Sequence, residues 1–346
     1  MGCSFSGLNA LYDSVGIGGD VWINENRFRV LRPLGDGGSA FVFLVKEVLP
    51  AEAGAASGLA KNKSIDPSHI SGEGIYAMKK VLIQSEEQLE LVRQEIRIST
   101  LFNHPNLLPL LDHAIITVKG AKGAQQSHEA YLLFPVHLNG TLLDNTKEMQ
   151  AKKEFFDTLT VLQLFRQLCA GLKHMHNFDP PYAHNDVKPG NVLLTQRKGQ
   201  TPIAILMDFG SARPARKQIR SHSEAVQLQE WAAEHSSAPF RAPELWDCSS
   251  HADIDERTDI WSLGCTLYAI MYGESPFEYA LTEPEGTLQS AIANAQMKPP
   301  PSGPASPYPE HLRQFVVWML QPNPAVRPHI NDIIIHVDKL LSKFSS

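Results

Sequence analysis

The sequence predicts an α+β chain, with strands gathered near its start and helices dominating afterwards. Three observations predict it. Runs rich in β-branched and aromatic residues at 27–34, 40–45 and 75–83 carry strand character, with a glycine-rich turn between the first two. Helical spacing of apolar residues follows at 88–101 and 160–177. A length of 346 residues suffices for two lobes or one large domain, each able to bury a core.

Composition narrows the function. The chain is 43% hydrophobic and 20% charged, as soluble globular proteins are, and its net charge is −6. An acidic balance argues against nucleic acid as a partner, because phosphate contacts need a basic surface. Four cysteines without close pairing fit neither a disulfide framework nor a zinc site. Cys169 and Cys265 fall in apolar helical stretches and read as inert core residues, and Cys248 reads as a loop thiol. No apolar run approaches the length of a membrane span, and the start lacks the basic-then-apolar layout of a secretory signal. The expected compartment is the reducing cytosol.

Met1-Gly-Cys-Ser-Phe-Ser6 matches the acceptor pattern for N-myristoylation at Gly2, with Cys3 adjacent as a palmitoylation site. Residues 7–19 look flexible, so residues 1–26 are expected to form a flexible, lipid-modified segment ahead of the folded part. This segment contains no lysine or arginine, so charge is not expected to help it to a membrane. Arg27 to Leu34 reads as a strand and Ala40 to Val45 as its hairpin partner. Between them, Gly35-Asp-Gly37-Gly38 bares the backbone for a close approach to phosphates. A dinucleotide fingerprint would open a helix at this point, and a Walker A loop would end in Gly-Lys-Ser/Thr. Neither follows.

Residues 49–74 lack periodicity and read as a surface insertion, longer than a hairpin loop needs. Ile75 to Ile83 is a strand in which Lys79 and Lys80 point to opposite faces. On the helix 88–101, with Leu91, Ile98 and Leu101 among its apolar positions, Glu95 is the carboxylate best placed to meet Lys79. The helix 160–177 lines Val161, Leu164, Leu168, Leu172 and Met175 along one core face, and His174 and His176 at its end read as capping or surface residues.

The chemistry concentrates in His184-Asn-Asp186-Val-Lys188-Pro-Gly-Asn191 and in Asp208-Phe-Gly210, each reached through an apolar run. Phosphoryl transfer needs such a set: a carboxylate to orient and deprotonate a hydroxyl, a cation on the γ-phosphate, and oxygen ligands for Mg²⁺. Because Mg²⁺ takes one or two protein ligands plus phosphate oxygens and water, Asp208 and Asn191 suffice.

These two stretches resemble the catalytic loop and metal-binding turn of the eukaryotic protein kinases. The resemblance runs from about Phe28 to Leu341. It implies a bilobal fold over 27–346: a small antiparallel β-sheet lobe with one main helix at 27–136, carrying the insertion 49–74, and a larger, mainly helical lobe at 137–346. It implies that Asp186 is the catalytic base, Lys188 contacts the transferred phosphate, and Asn191 and Asp208 hold Mg²⁺, with ATP as donor. Contacts to nucleotide would come from Leu34, Gly35, Gly37, Gly38, Val42, Ala77, Lys79 with its partner Glu95, and Leu193. Phe134 would close the adenine pocket, while the Pro135 carbonyl and His137 N–H would meet the ring.

The activation segment would run from Asp208 to Glu244, with Arg213, Arg216, Lys217 and Arg220 as solvated surface or, on a sharper reading, an anion site. Asp259 and the Glu244–Arg327 pair are implied as scaffold. Lys188 and Ser237 resemble the serine/threonine type, and the Gly2-Cys3 start, the proline-containing hinge, Leu101 to Asn106 and Phe240 to Glu244 resemble the Numb-associated group within it. Protein substrates are implied, on a kinase held by acyl chains at a cytosolic membrane face (Golgi, trans-Golgi or plasma membrane) and acting in membrane trafficking or signalling. Two departures from the family pattern stand out besides the insertion. Ala40 replaces the third glycine of the turn, and Asn185 replaces an arginine that in many members pairs with a phosphorylated activation loop. The alternative is a pseudokinase or nucleotide-binding scaffold. The complete set Lys79, Glu95, Asp186, Lys188, Asn191 and Asp208 favours the enzyme.

Overall fold

A computed structural model describes residues 17–37, 40–49, 57–62, 65–118, 127–195, 201–282, 287–298 and 307–344. The chain divides into two compact units. One holds the described residues up to Leu101 and from Leu108 to His137; the other holds Phe102–Leu107 and the described residues from Leu138 onwards.

The first unit is built on an antiparallel sheet of six strands: β1 (Asp20–Ile23), β2 (Asn26–Gly37), β3 (Ala40–Glu47), β4 (Ile75–Ile83), β5 (Asp112–Val118) and β6 (Ser127–Pro135), in the order β1-β2-β3-β4-β6-β5. The sheet begins earlier than expected. Residues 20–26, assigned from sequence to a flexible terminus, pair Asp20 with Arg29 and bury Val21 and Ile23. Two apolar residues inside a four-residue stretch are too weak a periodic signal to read alone; the partner strand supplies the rest. Alternation along the strands sends Phe28, Val30, Phe43, Tyr76, Met78 and Leu133 into one core.

The insertion also departs from expectation. Leu59 is 1% exposed within that core, and Ile65 and Ile70 pack against it. The Gly58 N–H donates to Glu47 Oε1 at 2.9 Å, and the Ser71 N–H to the Tyr76 hydroxyl at 3.2 Å. The described part of the insertion therefore supplies core side chains and is not a surface loop.

Helix α1 (Glu86–Leu101) buries Leu89, Val92 and Ile96 against the sheet, and Ile98 is buried as well, while Leu91 and Leu101, expected on the apolar face, are exposed. The stripe at i, i+3 and i+7 from Leu89 is the one that meets a neighbour.

The second unit is mainly helical. Its helices are α2 (Leu142–Lys152), α3 (Thr158–His176), α4 (His222–His235), α5 (Pro243–Trp246), α6 (Arg257–Tyr272), α7 (Leu288–Ala293), α8 (Glu310–Met319) and α9 (Ile330–Phe344). Side-chain caps set several starts: Thr141 with Asp144 forms a capping box on α2, and Asp157 accepts from the Thr160 N–H on α3. The expected core face of α3 is fully buried. Residues Thr258 to Tyr272 of α6 are all buried, and Gly264 lets it approach α8, since an added Cβ would lie 2.9 Å from Met319 Cβ. Among the described residues of this unit there are also three two-stranded ribbons: β7 (Tyr182–Ala183) with β10 (Arg213–Pro214), β8 (Val192–Thr195) with β9 (Ile203–Leu206), and β11 (Lys217–Ile219) with β12 (Ala252–Ile254). Cys169, Cys248 and Cys265 are free and buried. Burial pushes all three thiols up. No helix among the described residues is long and apolar enough to cross a membrane.

Candidate active site

In the first unit, pairing places Gly35, Val42, Ala77, Lys79 and Phe134 on one face. Directly opposed residues in antiparallel strands share a face, and the register opposes Gly35 to Val42, Val42 to Lys79, and Ala77 to Phe134. Leu34, Gly35 and Gly37 end β2, Pro135 ends β6, and His137 ends the unit. Burial lowers the pKa of the His137 imidazole. Nothing lies within 4 Å of a Cβ added at Gly35, so the space above its backbone is open. Gly38 lies outside the described residues, as do Gly2 and Cys3. Lys79 Nζ stands 2.7 Å from Glu95 Oε1, joining β4 to α1. Lys80 points to the other face, as alternation requires, and pairs there with Glu129.

In the second unit the catalytic-loop residues converge. Asp186 Oδ1 accepts from the Ser237 N–H at 2.9 Å, and Oδ2 accepts from Asn191 Nδ2 at 2.9 Å and lies 2.8 Å from Lys188 Nζ. Lys188 also donates to Ser237 Oγ at 2.5 Å. The loop backbone hangs on buried Asp259, whose Oδ2 accepts from His184 N at 2.7 Å and whose Oδ1 accepts from Asn185 N at 2.8 Å. His176, expected as a cap or surface residue, is instead buried, 2.9 Å from Asp259 Oδ2. A carboxylate 83 positions along the chain gives it a partner inside the core, and no local pattern announces that.

Asp208 takes a left-handed backbone, φ 64°, at the start of its turn, and its carboxylate accepts from the Gly210 N–H at 3.3 Å. The catalytic loop and this turn are joined by the Met207 N–H donating to the Asn191 carbonyl at 2.9 Å. Leu193, in β8, pairs with Ile205 and bridges to Thr141. No cluster of three or more His, Cys, Asp or Glu suited to a metal ion occurs among the described residues. The donor set does fit a Mg²⁺ that arrives with phosphate oxygens and water. Asn191 spends its NH₂ on the Asp186 carbonyl and carboxylate, both at 2.9 Å, which leaves the amide oxygen for a cation alongside Asp208.

The family model for the protein kinase domain matches residues 63–337. The chain belongs to the protein kinase family. Among its relatives, serine/threonine-protein kinase 16 of Homo sapiens is 34% identical over 325 residues, covering 93% of each chain. That of Rattus norvegicus is 33% identical over 323 residues, again with 93% of each covered. Serine/threonine-protein kinase ppk13 of Schizosaccharomyces pombe is 29% identical over 349 residues, covering 92% of each. The protein is a serine/threonine protein kinase that uses ATP and Mg²⁺.

Sequence reading of this kinase missed how its activation segment is held. Arg213 is no solvated cation. Its guanidinium lies 3.3 Å from the Trp231 ring centroid, and burial lowers its pKa to about 10. Arg216 pairs with Glu256 at 3.3 Å and Arg220 with Asp253 at 2.6 Å, while Lys217 is exposed. Helix α4, which carries Trp231, was also missed. Ser221 caps it by accepting from the Glu224 N–H, while the Glu224 carboxylate accepts from the Arg220 N–H. This Ser-x-x-Glu pattern was the available signal.

Proposed function

We propose that this kinase phosphorylates serine and threonine hydroxyls of proteins with Asp186 as the base that orients and deprotonates the acceptor. One observation carries the assignment: three donors from Ser237, Asn191 and Lys188 converge on the Asp186 carboxylate and fix its direction. Lys188 is the cation for the transferred phosphate, already placed between Asp186 and Ser237. Asp208 and Asn191 would hold Mg²⁺, which neutralises phosphate charge during transfer. Leu34, Gly35, Gly37, Gly38, Val42, Ala77, Phe134, Pro135, His137 and Leu193 bind the nucleotide, and Lys79, oriented by Glu95, meets its phosphates. Asp186→Asn should lower turnover by ~10²–10⁴-fold while nucleotide affinity stays near wild type. Wild-type phosphotransfer from the purified variant would remove Asp186 from this role.

We further propose that the chain sits peripherally on a cytosolic membrane, Golgi or plasma membrane, through acyl groups on Gly2 and Cys3, and acts in membrane trafficking or signalling. The Met-Gly-x-x-x-Ser start supports this. One myristoyl chain binds with an association constant of about 10⁴ M⁻¹, so firm anchoring needs the second lipid. In cell fractionation, Cys3→Ser should partition between membrane and cytosol and Gly2→Ala should be wholly cytosolic. A firmly membrane-bound Cys3→Ser protein would point to a different anchor.

A further inference from the structure

The residue that replaces the family's arginine has a place of its own in the geometry. Asn185 is buried and left-handed, φ 64°, a conformation that asparagine tolerates better than most residues. Its side-chain NH₂ donates to the Ala183 carbonyl at 3.2 Å and to the Ser211 carbonyl at 3.1 Å, which uses both protons. Its neighbour His184 stands 3.1 Å from the Met207 carbonyl through Nε2. The Asp186 N–H reaches the other ring nitrogen, Nδ1, at 3.3 Å. A single consistent tautomer follows: Nδ1 accepts, so Nε2–H donates to Met207.

Two consecutive residues thus grip the metal-binding turn at its two ends. His184 holds the carbonyl just before Asp208, and Asn185 holds the carbonyl three residues after it. Asp208, itself left-handed, lies between the two grips. Both residues are in turn fixed by their own N–H groups on buried Asp259. The chain of contacts runs from core carboxylate to catalytic loop to both flanks of Asp208.

We infer that Asn185 is a positioning residue for the metal site: its amide, by tying Ser211 to the catalytic loop, keeps the Asp208 carboxylate aimed for Mg²⁺. The short amide reaches both carbonyls from beside the backbone, whereas an arginine would carry its donors, and a charge, three further bonds away. The neutral amide finds its acceptors in the backbone, without a phosphate. The inference rests on Asp208 being the metal ligand.

The test compares Asn185→Ser, which stays neutral and can donate at most one of the two hydrogen bonds, with Asn185→Gly, which keeps the left-handed backbone and loses the amide. Binding of ADP to the full chain is measured by calorimetry with and without Mg²⁺. Both variants should bind ADP alone as the wild type does. Each should need roughly tenfold more Mg²⁺ for half-maximal tightening, the scale of one or two lost hydrogen bonds. Asp208→Ala, run alongside, should abolish the Mg²⁺ effect altogether. If Asp208→Ala retains that effect, the metal assignment fails. If Asp208→Ala behaves as expected but both Asn185 variants keep the wild-type Mg²⁺ curve, the positioning role is overturned. Asn185→Ser is the safeguard should Asn185→Gly fold poorly, because it fills part of the site without burying a charge.

Discussion

Lys79 and Lys80 are neighbours on β4, yet the two faces of the sheet use them in opposite ways. Lys79 keeps 21% of its side chain exposed beside Glu95, a partner brought by a helix. Lys80 keeps 2%, sealed against Glu129 at 3.0 Å with the Tyr131 ring centroid 5.7 Å away. The Tyr131 hydroxyl donates to the same carboxylate at 2.5 Å, and burial followed by that carboxylate pushes its pKa well up. A cation meant to meet a ligand must keep an open side. A cation meant to stay buried needs its surroundings completed by protein. Residue type alone does not distinguish them.

Removing the sealed cation should produce the largest effect. Lys80→Met leaves Glu129 buried without its counter-charge, and loss of one partner of a buried pair costs about 3–5 kcal/mol. Urea unfolding reads it directly, and the double variant Lys80→Met/Glu129→Leu should recover most of the loss. A single variant as stable as the wild type would erase the contrast between the faces. Lys79→Met comes next, lowering kcat/KM by about 10²-fold through misplaced phosphates, with a smaller loss of melting temperature than Lys80→Met because the Lys79 side of its pair is open to water. Unchanged kinetics, or a stability loss as large as that of Lys80→Met, would contradict the division of labour. Glu95→Gln keeps a hydrogen bond but loses the charge, and should cost activity by about tenfold. Initial rates at saturating ATP would show whether the lysine needs the charge or only the contact.

The mildest case is a pairing more open than either. Asp20 accepts from Arg29 at 2.9 Å and also from Arg27, and these two guanidinium groups hold its pKa down at about 2. A carboxyl lowered in the folded chain stabilises it above its ordinary value of about 4. That contribution fades as pH falls toward 2. Asp20→Asn should therefore lie slightly below the wild type in melting temperature at pH 6 and meet it near pH 2. Parallel curves throughout would mean that the contact contributes nothing.

The catalytic loop and metal turn were legible in the sequence because their chemistry is packed into short segments, Asp186 to Asn191 and Asp208 to Gly210. Lys79 with Glu95 was legible because Ala77-Met-Lys79 resembles the family's strand lysine, and alternation sends Lys80 to the other face. What escaped is non-local. Leu59 looks like any leucine in a polar stretch until β2, β3 and β4 build the core it enters. His176 and Lys80 take partners that no pattern around them reveals. Strand β1 has too few residues to show a period and exists through its pairing with β2. Helix α4 was different, since its capping signature was present and unread.

Asp259 gives the catalytic loop an unusual kinetic character. The His184 and Asn185 amides belong to no helix, yet both end on a carboxylate with no exposure. Solvent deuterium can replace those protons only when the loop lifts off α6, and α6 is buried from Thr258 to Tyr272. In hydrogen exchange the two amides should behave as core amides, opening with the unit as a whole. The two residues just before the base are then clocks for global unfolding, although they sit in a loop.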